Sequence, residues 1–395
     1  MKKTVLVLGL LAAPVLAIEP QAAKEAAKAV DPARIGPSID ALCAPELGGR
    51  RAGTEGGKKT TALLAKAFAD AGLAKLGGES SYVFDAGNGD ENVLGVIAGS
   101  DLARESIVLS AHWDGVGVDE DGKVVPGADE NASALSALLE MARVLGKTKP
   151  RRTLVFAAFG GWWDPKDDTN RWRGARAFLK KHRGTIHPVF QLDLMMLGVP
   201  LMATEPERFF ALGSESSAPL IDVLKEAAAA TTELKVARAS VDLVEKRGPR
   251  DDYDAFRAAK VPFVFLTSGV SKHYHLVTDA PATLDKKRIA AAARLGIDIV
   301  ARVDARDEAP EFAKESLTDD RRDATEVLDL VTAALDPKNG ITFDPPSEKK
   351  ALEFKRDKIK DMLDVEGELH LEKRDRGVLK ETLELLLISL THRKL

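Results

Sequence analysis

Apolar residues along this chain fall into two recurring patterns, short unbroken runs and longer stretches with helical spacing. The runs lie at 81–84, 92–97, 107–111, 153–159, 189–194, 208–212 and 261–266. Such lengths suit strands, and the least interrupted of them suit strands covered on both faces. Residues 58–73, 133–145, 173–181, 218–229 and 253–259 instead repeat apolar positions every three or four residues, and 286–303 does so as a closing helix. Strands alternating with helices predict a three-layer α/β/α sandwich on a mostly parallel, mixed central sheet. Leu47-Gly48-Gly49-Arg50-Arg51-Ala52-Gly53-Thr54 interrupts the helical pattern of 38–76 with glycines that permit positive φ.

The pattern changes near residue 304. Glycine becomes sparse, charges become dense, and two apolar stripes appear, one at Leu328, Leu330, Val331 and Leu335 and one at Leu379, Leu383, Leu386 and Leu387. Residues 306–395 therefore read as a charged extension of about three helices, joined around 337–346 and packing back onto the main domain. At the other end, Met1-Lys2-Lys3 precedes an apolar run closed by the small residues Val15 and Ala17. That is the form of a secretory signal. The divisions expected are a signal at 1–17, a helical lead at 18–37, the main domain at 38–305 and the extension, in a protein exported to the periplasm or the exterior.

Composition adds exclusions. A net charge of −4 gives no reason to expect a nucleic-acid or anionic-membrane partner. After the signal no apolar run reaches spanning length, so no membrane partner is expected. Cys43 is the single cysteine, so no intramolecular disulfide can form and stability must come from packing, with or without metal. The oligomeric state is not set by anything in the sequence.

Chemistry concentrates in 107–134. His112-Trp113-Asp114 falls where a strand ends, with the His and Asp side chains on one side of an extended backbone. Gly127-Ala128-Asp129-Glu130-Asn131-Ala132-Ser133 then leads into a helix. Loops beyond the carboxyl ends of strands hold the ligand site in open α/β sheets, so a histidine and a carboxylate arriving there point to a metal. The alternative is a satisfied interior histidine and a carboxylate near a helix cap. Four further pieces line up: 153–161, a strand ending in Gly160-Gly161; Gln191-Leu192-Asp193; Asp251-Asp252-Tyr253 before a helix; and His273-Tyr274-His275 before Thr278-Asp279.

In the order and spacing of these pieces, residues 38–305 resemble the zinc-dependent exopeptidase family of bacterial leucyl aminopeptidase, aminopeptidase S and glutamate carboxypeptidase. The resemblance implies that His112 and Asp193 are ligands of one metal, that Glu130 bridges two metals, and that His275 is a ligand of the other. It casts Asp114 as the carboxylate orienting the metal-bound histidine, and it places Asp252, Tyr253 and Tyr274 at the substrate. Four residues depart from the pattern. Tyr253 stands for the family's histidine and Glu130 for its aspartate. Trp162-Trp163 replaces two consecutive glutamates, one the general base and the next a metal ligand.

Neither indole can coordinate a metal or take a proton at neutral pH. One metal then keeps His112, Glu130 and Asp193, the number a catalytic zinc uses, while the other keeps only Glu130 and His275. The cofactor expected is one zinc ion rather than two. Asp164, Asp167 or Asp168, in the loop that follows, are candidate substitutes for a lost glutamate. The functional expectation is aminopeptidase-type hydrolysis of a peptide at an incomplete, single-metal centre. Its alternative is a catalytically silent peptidase-like protein that binds a peptide or protein partner, with no zinc.

Overall fold

A computed structural model describes residues 25–162, 170–182, 184–244 and 250–391. The signal-like segment 1–17 lies outside the described residues, as do Trp163, Asp164, Asp167 and Asp168. Eight strands form one sheet: β1 Val83–Gly87, β2 Asp90–Ile97, β3 Leu102–His112, β4 Arg152–Phe159, β5 His187–Met195, β6 Arg208–Leu212, β7 Lys235–Ala239 and β8 Phe263–Thr267, in the spatial order β1-β2-β4-β3-β5-β8-β6-β7. The central block β4-β3-β5-β8 is parallel. β2 joins it antiparallel at one side and β6 antiparallel at the other.

The unbroken run in β3 has a simple cause, burial of both faces. Ile107, Leu109 and Ala111 pack in one layer with helices α1 Pro32–Leu42, α2 Glu55–Asp70, α3 Ala134–Leu145, α5 Ala218–Ala230 and α7 Lys286–Asp304. Val108 packs in the opposite layer with α4 Arg173–Lys181 and α6 Tyr253–Ala258. Alternation along an extended chain sends successive side chains to opposite faces, so a strand covered twice must be apolar throughout.

The extension forms α8 Asp320–Leu335, α9 Ser347–Leu363 and α10 Lys373–Thr391. Both of its leucine stripes pack back onto the sheet, where Val327, Leu330, Val331, Leu383 and Leu386 share a core with Phe210, Leu212, Phe263 and Phe265. α8 also lies along β7, the edge strand. The backbone N–H of Ser240 donates to Asp323 Oδ1 at 3.0 Å and that of Arg238 to Glu326 Oε1 at 3.4 Å. Arg376 on α10 reaches Asp242, Asp320 and the fully buried Asp323, tying helix to helix and helix to sheet.

Two elements differ from the sequence reading. β7, Lys-Val-Ala-Arg-Ala, was not among the expected strands because its two cations leave only one valine and two alanines as apolar residues, a composition that suits an edge. α1 runs across the expected boundary at 37/38, since Asp31 caps it by accepting from the Ala33 N–H and Ile35, Ile39 and Leu42 bury its inner face. No described helix is long and apolar enough to cross a membrane.

Candidate metal centre

Sheet register decides which side chains meet. His112 ends β3 opposite Phe159 of β4, while Ser110 stands opposite Asp193 of β5 on the other side. The chain leaving β4 therefore delivers Gly160-Gly161-Trp162 to one flank of His112, and β5 delivers Asp193 near the other. Gly160 leaves room for this turn, because a Cβ there would lie 2.4 Å from the Glu91 carbonyl oxygen.

The 113–127 loop is fixed by Arg50, which is fully buried. Its guanidinium donates to the carbonyl oxygens of Leu42 at 2.9 Å, Trp113 at 3.1 Å, Pro126 at 2.7 Å and Gly127 at 2.8 Å. Beyond it, the Asp279 carboxylate accepts from the backbone N–H groups of Asp129 at 2.7 Å and Glu130 at 3.1 Å. Asn131 pins the same turn to β5, donating to the Leu194 carbonyl and accepting from the Met196 N–H, both at 3.1 Å. These contacts aim Glu130 into the sheet's carboxyl end.

Glu130 lies between two histidines. Its Oε1 is 3.3 Å from His112 Nε2 and its Oε2 is 3.4 Å from His275 Nε2. His112 Nδ1 lies 2.9 Å from the Asp114 backbone carbonyl, which only accepts, so Nδ1 carries the proton and Nε2 of the neutral ring is bare. That bare nitrogen and Glu130 Oε1 are both buried and neither makes a hydrogen bond. Two facing lone pairs call for a cation between them, a proton or a metal. Two ligands at about 2.0–2.1 Å from one tetrahedral zinc stand about 3.3 Å apart, the spacing seen here. In kind and spacing these donors fit zinc. A third does not close on them: among the described residues no three His, Cys, Asp or Glu side chains are set around one point as metal ligands would be.

The remaining expected residues take different positions. Asp193 has both oxygens engaged, accepting from Ser110 Oγ at 2.6 Å and from the Tyr253 N–H at 2.8 Å. Asp114 orients His112 through its carbonyl rather than its carboxylate, whose Oδ1 is 3.9 Å from Nδ1. The carboxylate accepts instead from the Trp162 N–H, at 3.1 and 3.3 Å. Trp162 is buried, its indole stacked on His112 with ring centroids 4.8 Å apart and edge-on to His275 at 5.8 Å. Tyr253, expected at the substrate, lies in the core, its ring stacked 5.0 Å from that of Phe263 and tilted against that of Phe265 at 4.9 Å. Tyr274 lies stacked on His275 at 3.8 Å. Asp252 is fully buried at the start of α6.

Sequence reasoning assigned no role to Arg50 or Asp129, and it noted Asp279 only as part of a Thr-Asp pair. Their hydrogen bonds are to distant backbone, which leaves no local pattern to detect.

Charge is heavily one-sided. Burial pushes the Asp114 carboxyl up to about 6, and burial with the nearby Asp279 pushes Asp129 up to about 7. Asp193 is raised to about 7 by burial. Burial also opposes the charge of Glu130, but in the cation-free protein protons on the facing nitrogens of His275 and His112 outweigh it and hold that carboxyl down at about 2. A folded-state pKa above the ordinary carboxyl value means the native protein binds protons more tightly than the unfolded chain. The stability from Asp114, Asp129 and Asp193 is then present at low pH and lost as pH rises through 6–7. The contribution of Glu130 is lost only near pH 2 and stays intact across this window. The melting temperature of cation-free protein should fall between about pH 5 and about pH 7.5, and zinc added at the upper pH should restore it. Scanning calorimetry reads both, and a melting temperature that rises over that interval would contradict the assignment.

Comparison with known proteins bears on the family and the fold. Residues 92–300, just over half of the chain, match the family model of peptidase family M28. A 72-residue stretch is 33% identical to a probable zinc metalloprotease of Leptosphaeria maculans, covering 18% of this chain. The matched stretch spans only 17% of that protein's length. Among solved structures, LapB of Legionella pneumophila has a TM-score of 0.60 at 19% identity, over 73% of this chain and 76% of that one. A zinc aminopeptidase of Bacillus subtilis gives 0.54 at 15% identity, over 72% and 98%. The glutaminyl cyclase of Porphyromonas gingivalis gives 0.56 at 20% identity, over 68% and 97%. At such identities the likeness is one of fold, an eight-stranded mixed sheet between helical layers. The match over most of the sheet and its closing helix makes the chain a member of peptidase family M28.

Proposed function

We propose that this protein is an exported metallo-exopeptidase-like member of its family, of aminopeptidase type, that binds a peptide end at a cation-holding centre without cleaving it efficiently. One observation carries the reading. The buried indole of Trp162 lies against both His112 and His275, at the position where the family resemblance calls for a proton-accepting glutamate. Family membership and likeness to a zinc aminopeptidase support zinc as the cation and a peptide as the ligand. Support for export comes from residues 1–17 alone.

His112, Glu130 and His275 would hold the ion, with Asp193 beside them. Bound there, zinc supplies Lewis-acid polarisation of a carbonyl. The chain's own residues orient that centre: the Asp114 carbonyl keeps the proton on Nδ1 of His112, and Asp279 fixes the backbone that presents Glu130. A second reading, slow hydrolysis at one metal, is favoured by the placement of Glu130 between two histidines.

Purified protein with zinc separates the two. Leucine hydroxamate, which resists hydrolysis, should bind in a zinc- and His112-dependent manner by calorimetry, while leucyl-p-nitroanilide turns over far below the ~10 s⁻¹ typical of enzymes. A kcat near that value, lost in His112→Ala, would overturn the non-cleaving reading in favour of hydrolysis.

A further inference from the structure

Next to the centre lies a cleft of about 400 Å³, within the size range of ligand pockets. Two of its walls, the segments 199–203 and 270–272, follow the carboxyl ends of β5 and β8, neighbouring parallel strands. The third is made by residues 339–342, in the link between α8 and α9, with Ser389 of α10. These residues all lie beyond the 92–300 span by which the family is recognised.

Two features join the cleft to the centre. Ser271 closes the turn that carries His275: its carbonyl accepts from the Tyr274 N–H at 3.1 Å, its Oγ accepts from the His273 N–H at 3.2 Å, and Tyr274 stacks on His275. Met202 and Val270 share one apolar cluster with Trp162. The third wall is fixed ahead of any ligand. Asn339 Oδ1 accepts from the N–H and the hydroxyl of Thr204, at 3.0 and 2.8 Å, and its Nδ2 donates to the Ala333 carbonyl at 2.6 Å. A wall already in place spares a ligand the cost of ordering it.

The lining sets the chemistry of the occupant. Leu201, Met202, Val270 and Ile341 give it apolar surface, no carboxylate lines it, and Lys272 is its one charged residue among those described. Lys272 is exposed, and no described residue pairs with it. An aliphatic side chain beside a carboxylate matches this arrangement, the first leaving water against the wall and the second facing the cation. In a peptide whose first residue is held at the centre, the second lies one step of about 3.3–3.6 Å further on. In a dipeptide that second residue also carries the terminal carboxylate.

We propose that the C-terminal extension completes a subsite for the second residue of a dipeptide, aliphatic in its side chain and ending in a free carboxylate that Lys272 receives. This rests on the peptide-binding reading of the centre and gives it a ligand class, dipeptides over longer or blocked chains.

The test titrates the zinc-loaded full chain by calorimetry with leucine hydroxamate, which is confined to the centre, and with phosphinic isosteres of leucyl-leucine, leucyl-glycine and leucyl-leucinamide, which resist hydrolysis. Wild type should bind the leucyl-leucine isostere at least about ten-fold more tightly than the leucyl-glycine one, as burial of a leucine side chain gives. It should prefer the free carboxylate to the amide by about three-fold or more, as one exposed ion pair gives. Lys272→Gln should erase the carboxylate preference and keep the leucine preference. Thr342→Asp, at an exposed position of the extension, sets an anion in the cleft and should do the same. Both variants should bind leucine hydroxamate as wild type does, which a folding defect would not allow. Isosteres within two-fold of one another in wild type, with the hydroxamate bound, overturn the subsite alone. A carboxylate preference that survives in Lys272→Gln overturns the role of Lys272, and one that survives in Thr342→Asp overturns that of the extension. Absence of hydroxamate binding in wild type overturns the reading of the centre beneath it.

Discussion

Replacing Trp162 and Trp163 together by glutamate is expected to raise zinc-dependent hydrolysis of leucyl-p-nitroanilide by about 10²-fold or more, within the ~10²–10⁴ that a positioned general base contributes. The backbone at 162 is already held for this. Its N–H donates to the Asp114 carboxylate and its carbonyl accepts from the Trp172 N–H at 3.1 Å, so a new side chain leaves toward the same two histidines that the indole now touches. A glutamate there stands where a proton can be taken from water beside the ion, and the second restores the anionic ligand of the family pattern.

The exchange has a cost in the apo protein. Removing a buried indole forfeits roughly 3–5 kcal/mol of packing, and a fresh carboxylate joins a crowd of them. Zinc offsets part of that loss by binding only the folded form. The measurement is kcat/KM with zinc and with chelator, alongside bound zinc per chain. A folded, zinc-loaded double variant with wild-type rates would show that the tryptophans do not limit turnover.

Arg50→Ala is expected to lower unfolding free energy by roughly 4 kcal/mol or more, a large fraction of the ~5–15 kcal/mol typical of a whole domain. Four carbonyl oxygens accept from this one guanidinium and all four lose it at once, although that of Gly127 still accepts from the Ala132 N–H at 3.2 Å. Each unsatisfied buried acceptor costs about 1–3 kcal/mol, with water recovering part of the total. Since three of the four carbonyls belong to the span between Trp113 and Gly127, the loop linking His112 to Glu130 loosens first. Zinc-induced stabilisation should therefore disappear even where the fold survives. Arg50→Lys keeps one positive charge but lacks the planar fork, and should fall between the two. Urea midpoints read the series, and a loss below about 1 kcal/mol for Arg50→Ala would mean that the loop is held by other contacts.

Much of this architecture was legible in the chain because burial on both faces writes itself as unbroken apolar runs, Ile107–Ala111 being the clearest. β7 escaped notice since an edge strand needs no such run. At the centre, His112 and Glu130 could be picked out because each is anchored to a local landmark, a strand end and a glycine-bounded turn. The role of Arg50 could not, as its four acceptors are spread over 85 positions of sequence, from Leu42 to Gly127. Nor could the pose of Trp162, which depends on Asp114 arriving from the adjacent strand. The setting of the Tyr253 ring was hidden for the same reason: position in a motif says where the backbone goes, whereas the two phenylalanines of β8 that its ring packs on are set by sheet order.

The recognisable family segment ends at residue 300, but the sheet it contains is finished by what comes later. At β7 and just past its end, the backbone N–H groups of Arg238 and Ser240 are covered by Glu326 and Asp323 of α8, residues outside the matched span. A fragment trimmed to the family boundary would present that bare rim to other copies of itself, an invitation to strand-by-strand polymerisation. The helical tail is in this sense a terminator, and the folded unit of this protein is larger than the portion by which it is recognised.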